Sequence, residues 1–173
     1  MANTSKNHPI TDEQKVLSEL QKNSRNTIDA IAKNCGFSRQ KVYRIIKQLE
    51  GTEKIWGYSV TMDETPEKQK FILFLKKGKG EHDPQQVNEL LKTQMDSLKE
   101  ELGVTVLHSY FIHGEYDLVT VFTAKDIMVA KKFVAALINK FPATNSIRIN
   151  QVLYTLREQY IRSPHPEHLK DFI

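Results

Sequence analysis

TIDAIAKNCGFSRQKVYRIIKQLE, running from Thr27 to Glu50, is the stretch whose reading decides the amino-terminal fold. It writes two short helices around a Cys35-Gly36-Phe37 turn. Thr27 and Ser38 are residue types whose hydroxyls satisfy free amide donors at helix starts, and Gly36 takes the positive φ needed where the first helix ends. On the second helix Val42, Ile45, Ile46 and Leu49 recur at three- and four-residue spacing as a core stripe. Arg39, Gln40, Tyr43, Arg44 and Lys47 occupy the other face. A charged face alone is what any solvated helix carries; caps, glycine turn and cations together make a helix-turn-helix signature.

Upstream, Thr11 is placed to cap a helix over about Asp12–Lys22, with Asp12 and Glu13 in its first turn and Val16, Leu17 and Leu20 inward. The second helix buries Ile28, Ile31 and Ala32, and Met1–Ile10 reads as a loose arm. After Glu50, Gly51-Thr-Glu-Lys54 breaks the helix and Ile55–Val60 reads as a strand, a wing-like element. Met62–Lys68 is polar and turn-forming, which marks a linker.

A second pattern begins at Lys70-Phe-Ile-Leu-Phe-Leu-Lys76, an apolar run of strand length. Asp83 and Pro84 open a helix kept in register by Val87, Leu90, Leu91, Met95, Leu98 and Leu102 until Gly103. Val104–Ile112 and Tyr116–Phe122 are β-rich runs around the hairpin signal His113-Gly114-Glu115. Asp126 opens a further helix with Ile127, Val129, Ala130, Phe133, Val134, Leu137 and Ile138 inward, ended by Phe141-Pro142; a last strand covers about Ile147–Leu156. The order β-α-β-β-α-β predicts a ferredoxin-like antiparallel sheet with both helices on one face. The tail from Glu158 reads as irregular. The expected organisation of this α+β chain is a winged helix-turn-helix domain (1–62), a linker (63–69), a ferredoxin-like domain (70–157) and a tail (158–173).

The 173 residues suffice for two small cores. Residues 1–62 hold 10 Lys+Arg against 6 Asp+Glu and the remainder 15 against 15, so the whole +4 surplus lies in the helix-turn-helix part. Such asymmetry fits a nucleic-acid module joined to a neutral one, because phosphate neutralisation supplies most non-specific affinity for a duplex. One cysteine, Cys35, excludes an intrachain disulfide and a cysteine-rich zinc site and fits a reducing cytoplasm. No apolar run approaches the roughly 20 residues that span a bilayer, and Met1–Pro9 has no hydrophobic signal core; the expectation is a soluble cytoplasmic protein.

Over about residues 12–157 the chain resembles the Lrp/AsnC (feast/famine) transcription regulators. The marks are Asp12, Val16, Leu17, Leu20, Asn23-Ser-Arg25, Ile31-Ala32, Gly36-Phe-Ser38, Val42, Arg44-Ile45, Leu49-Glu50, Ile55 and Gly57-Tyr58, then Gly114-Glu-Tyr-Asp-Leu118. Gly51-Thr-Glu-Lys54 departs from the Gly-Val-Ile usual after the recognition helix of that family. The resemblance implies a winged helix-turn-helix joined to a ferredoxin-like domain (RAM- or ACT-like) that pairs sheets into a homodimer or higher oligomer, with an amino acid as a common effector.

In the double-stranded DNA reading, Arg39, Gln40, Tyr43 and Arg44 are the candidates for base or nearby phosphate contacts. Lys47, Lys41 and Arg25 suit phosphate, and Thr27 and Ser38 stand at helix N-termini whose amides attract it. Trp56 and Tyr58 read either as wing contacts or as packing. Gly114, Tyr116 and Asp117 are candidate effector residues, with the competing reading that Gly114 makes the hairpin and Asp117 holds it.

His8, His82, His108, His113, His165 and His168 form no zinc pattern, and no phosphate loop, nucleophile motif or carboxylate pair in acid/base register is present. The expectation is a non-enzymatic protein with no cofactor and no metal. The alternative by resemblance is a sirohaem decarboxylase-like enzyme of the same architecture, using His108 or His113 against a tetrapyrrole.

Overall fold

A computed structural model of the chain describes residues 10–62, 67–78, 95–140 and 144–173. The expectations for the arm before Ile10, for linker residues 63–66, for the Asp83 cap and its helix up to residue 94, and for the Phe141-Pro142 stop lie outside those residues. Two compact units form: one runs to Thr61 and takes in Leu156–Pro166, the other comprises Met62–Thr155 and Glu167–Ile173.

The first unit holds α1 (Asp12–Lys22), α2 (Ile28–Cys35) and α3 (Arg39–Gly51). Thr11 closes a capping box: its hydroxyl accepts from the Gln14 amide at 3.2 Å and its own amide donates to Gln14 Oε1 at 2.8 Å. Two of the four free donors at that helix start are thereby satisfied. Val16, Leu20, Ile31, Ala32, Val42, Ile45 and Leu49 are buried together, while Leu17, Ile28 and Ile46 sit at the rim of this core rather than inside it.

Two expectations change here. No strand forms at Ile55–Val60: residues 56–62 carry no ladder, and Trp56, Val60 and Met62 are largely exposed. A strand needs a paired strand for its backbone groups, and among the described residues none pairs with this segment; the Ile55 amide instead donates back to the Leu49 carbonyl. The tail, in contrast, is ordered. β5 (Arg157–Glu158) and β6 (Ile161–Arg162) form a two-stranded hairpin, followed by a 3-10 helix, Pro166–Phe172. The hairpin turns through Gln159 at φ 51° with no Gly, Asn or Asp, so it gives no sequence signal of a tight turn.

The second unit is a four-stranded antiparallel sheet of β1 (Gln69–Lys77), β2 (Thr105–Phe111), β3 (Leu118–Ala124) and β4 (Thr144–Gln151) in the order β2-β3-β1-β4, with α4 (Met95–Leu102) and α5 (Ile127–Lys140). This is the ferredoxin-like order. β4 starts and ends earlier than the expected Ile147–Leu156. Phe71, Leu73 and Leu75 on β1 face the same side as Leu118, Thr120, Phe122 and Ala124 on β3, because Phe71 pairs with Phe122 and Leu73 with Thr120. Ala130, Phe133 and Leu137 of α5 and the half-buried Leu102 of α4 close that face. Phe122 is the hub, with ring centroids 4.8 Å from Phe133 and 5.5 Å from Phe71. Ile127 and Ile138, expected inward, are exposed towards the two ends of α5. Thr120, fully buried, shares a 3.2 Å hydrogen bond with the Ser109 hydroxyl across the ladder.

Candidate nucleic-acid interface

Three local devices set the presented helix. The Thr27 hydroxyl accepts from the Ala30 amide at 3.2 Å, Gly36 adopts φ 69° as the Phe37 amide bonds back to the Ala32 carbonyl at 2.9 Å, and the Ser38 hydroxyl accepts from the Lys41 amide at 3.3 Å. Both hydroxyls are acceptors in their caps, which leaves each O–H proton available to donate to an anion at the helix N-terminus. With Val42, Ile45 and Leu49 buried, Arg39, Gln40, Tyr43, Arg44 and Lys47 are all exposed along one side of α3.

The cations on this side differ in what else they touch. Lys41 is the odd one out: its ammonium lies 2.6 Å from Asp12 and 4.1 Å from the centre of the Phe37 ring, and only about a third of its side chain is exposed. The hydrogen bond from Lys41 holds the Asp12 carboxyl below the ordinary carboxylate range. Lys41 therefore ties α3 to α1. Lys47 bonds Glu50 at 2.9 Å, and that bond raises the lysine and lowers the glutamate from their ordinary values. Arg39 faces Asp29 at 3.5 Å with both groups mostly in water, a pair that an incoming phosphate displaces at small cost. Among the described residues no carboxylate engages Arg44. Among the described residues it is the α3 cation whose fork of donors no carboxylate takes.

Arg25 is exposed in the turn between α1 and α2. Tyr58 donates its hydroxyl proton to Glu50 at 3.0 Å, and burial followed by this bond raises its phenol from the ordinary value. Tyr58 thus braces α3. Trp56 is 95 % exposed, which removes the packing reading for its indole within the described residues. Cys35 lies half-buried in the turn, and burial pushes its thiol up, so it is a neutral filler rather than a nucleophile.

Gly114, Tyr116 and Asp117 share the β2–β3 turn, closed by a 2.9 Å bond from the Ile112 amide to the Asp117 carbonyl. Asp117 is occupied structurally: Oδ2 accepts from the Lys77 amide at 2.8 Å, and its own amide donates to the Leu75 carbonyl at 2.9 Å. The Tyr116 ring tilts against Phe74 at 5.2 Å, and Gly114 is exposed. His108 stacks on Tyr110 with centroids 6.0 Å apart. Among the described residues no group of three His, Cys, Asp or Glu side chains converges to hold a metal, and no helix is long and apolar enough to cross a membrane.

Sequence reasoning passed over one exposed pair, Arg157 and Arg162 on the carboxyl-terminal hairpin, which belongs to the helical unit. The only signal was the alternation Arg-Glu in one arm and Ile-Arg in the other, too short to read as strands.

Residues 13–55 match a family model described as winged helix-turn-helix DNA-binding. No curated protein matches the sequence significantly. Among solved structures, the leucine response regulatory protein of Mycobacterium tuberculosis is 18% identical, with 88% of this chain and 98% of that chain covered at a TM-score of 0.61. An AsnC family transcriptional regulator from Agrobacterium tumefaciens is 18% identical over 90% and 97% at 0.62. A transcriptional regulator of Neisseria meningitidis in complex with L-methionine is 17% identical over 91% and 97% at 0.63. The chain therefore carries a winged helix-turn-helix segment of the DNA-binding type and is similar in fold, over most of its length, to regulators of the Lrp/AsnC kind.

Proposed function

We propose that this chain is a cytoplasmic sequence-specific transcriptional regulator of the Lrp/AsnC type that binds a pseudo-palindromic operator as a homodimer or higher oligomer. The observation that carries the reading is the exposed side of α3, where Arg39, Gln40, Tyr43 and Arg44 follow the Ser38 cap while Val42, Ile45 and Leu49 on the opposite side are buried. Arginine suits the O6/N7 edge of guanine and glutamine the N6/N7 edge of adenine, both by paired hydrogen bonds. Arg25, Lys47 and the capped starts at Thr27 and Ser38 supply phosphate contacts that position the helix, and Lys41 acts mainly by holding it.

One helix in one groove buries little surface, so specific binding calls for two copies about one turn of duplex apart, ~34 Å. Residues 70–157 supply that pairing in this reading. An amino acid is the effector it favours, near Gly114, Tyr116 and Asp117. The likeness to a regulator solved with L-methionine supports that class of ligand. Selection of bound oligonucleotides from a random pool tests the whole. An enriched inverted repeat with half-sites one turn apart is expected; a pool that stays random after several rounds overturns the proposal.

A further inference from the structure

The segment after α3, where a winged helix-turn-helix places its β wing, carries no ladder here. The only two-stranded β element among the described residues of this unit is β5–β6, contributed from the far end of the chain. Its tip lies over the same segment: Tyr160 donates to Gln21 Oε1 of α1 at 3.2 Å, and Tyr160 shares a groove with Leu20, Asn23, Arg25, Ile55 and Trp56. The hairpin tip therefore borders the same groove as Arg25 and the segment that follows α3.

Its chemistry is odd for a structural strap. Arg157 pairs directly with Arg162 across the ladder, so both guanidinium groups leave the same face, with Cβ atoms about 5 Å apart. Like charges so placed repel each other. Glu158 is adjacent to Arg157 and so stands on the opposite face. Both arginines are exposed, and among the described residues no carboxylate engages either. The turn that sets them opposite each other holds Gln159 at φ 51°, a left-handed conformation unusual for a side chain of its kind. Among the described residues this charge pair, set side by side with no carboxylate on it, points to an anion that completes it.

We propose that the β5–β6 hairpin is a surrogate wing, in which Arg157 and Arg162 clamp phosphates of the duplex flanking the groove that α3 enters. The proposal rests on the regulator reading above and adds a contact to it. Phosphate is the partner because two cations set side by side on an exposed β face call for an anion. The clamp neutralises about two phosphates, so it strengthens binding to any duplex and specifies none.

The test uses the full chain and two labelled duplexes of equal length, one carrying the selected sequence and one random, titrated between 50 and 200 mM salt. The Arg157→Ala/Arg162→Ala double variant is expected to bind both duplexes about tenfold more weakly, and the slope of log affinity against log salt is expected to flatten by about 1.8. The Arg157→Lys/Arg162→Lys double variant is expected to keep the wild-type slope, because phosphate accepts any cation. An alanine variant with unchanged affinity and slope overturns the surrogate wing while leaving the regulator reading intact. A lysine variant as weak as the alanine one assigns the loss to packing and overturns it too. A wild-type chain that binds neither duplex removes both readings together.

Discussion

In the helical unit the Ser38 hydroxyl finds its amide three residues away, whereas in the sheet unit Leu73 is placed between Thr120 on one side and Ile149 on the other, partners from distant parts of the chain. The charges differ in the same spirit. In the helical part Asp12, Glu13, Glu19, Asp29 and Glu50 each sit on a lysine or arginine, and the surplus cations are left facing outward. Residues 63–173 are neutral in sum, and Leu107, Tyr110, Phe111 and Ile112 are exposed on or beside the edge strand β2. The two parts thus differ in surface chemistry, one cationic and the other with exposed apolar side chains along an edge strand.

The largest expected effect is in the sheet. Phe122→Ala removes the ring shared by Phe71 and Phe133 and is expected to cost about 3–5 kcal/mol, read as a lower midpoint in urea. An unchanged midpoint would mean that the sheet does not depend on its hub. Next comes the contrast within α3. Arg44→Ala is expected to lose about 1–3 kcal/mol of operator binding with no change in melting temperature, while Lys41→Ala is expected to lower the melting temperature. Equal effects of the two on both readouts would dissolve the distinction between reading and holding.

Smaller is the cap: Ser38→Ala is expected to cost about 1 kcal/mol, seen as faster amide exchange in the first turn of α3 with the sheet amides unaffected. The smallest effect is acid sensitivity. Lys41 beside Asp12, Lys22 with Asn34 beside Glu19, and Lys47 with Tyr58 beside Glu50 hold these carboxyls below their ordinary values. A depressed folded-state value contributes stability above the unfolded value and loses it as pH falls through the folded one, so the helical unit is expected to weaken below about pH 4. In each pair one partner, Asp12, Lys22 or Lys47, is at least half exposed, so 0.5 M salt is expected to flatten this dependence; a profile indifferent to salt would assign it to other groups.

The helices were legible because each carries its own boundary marks: Thr11, Thr27 and Ser38 in front, Gly36 behind, and a stripe whose period is set by the helix itself. The sheet order followed from the succession of strands and helices, though the ends of β4 did not, since they are set by pairing with β1 rather than by a local mark. Two things were hidden. Lys41 and Lys47 look alike in the sequence, and only the approach of Asp12 from another helix separates a brace from a contact. The β5–β6 hairpin was missed because its turn uses Gln159 and Tyr160, and each arm has two residues. Its order comes from the helical unit it belongs to, which no local pattern announces.

Adjacent residues on α1 grip α3 near both extremities: Asp12 takes Lys41 in the first turn, and Glu13 accepts from Gln48 at 2.9 Å and from Lys54, just past the end, at 2.7 Å. With Val42, Ile45 and Leu49 filling the space between, α3 cannot tilt without parting contacts at each end. Any displacement of this surface therefore carries the trihelical body as one piece.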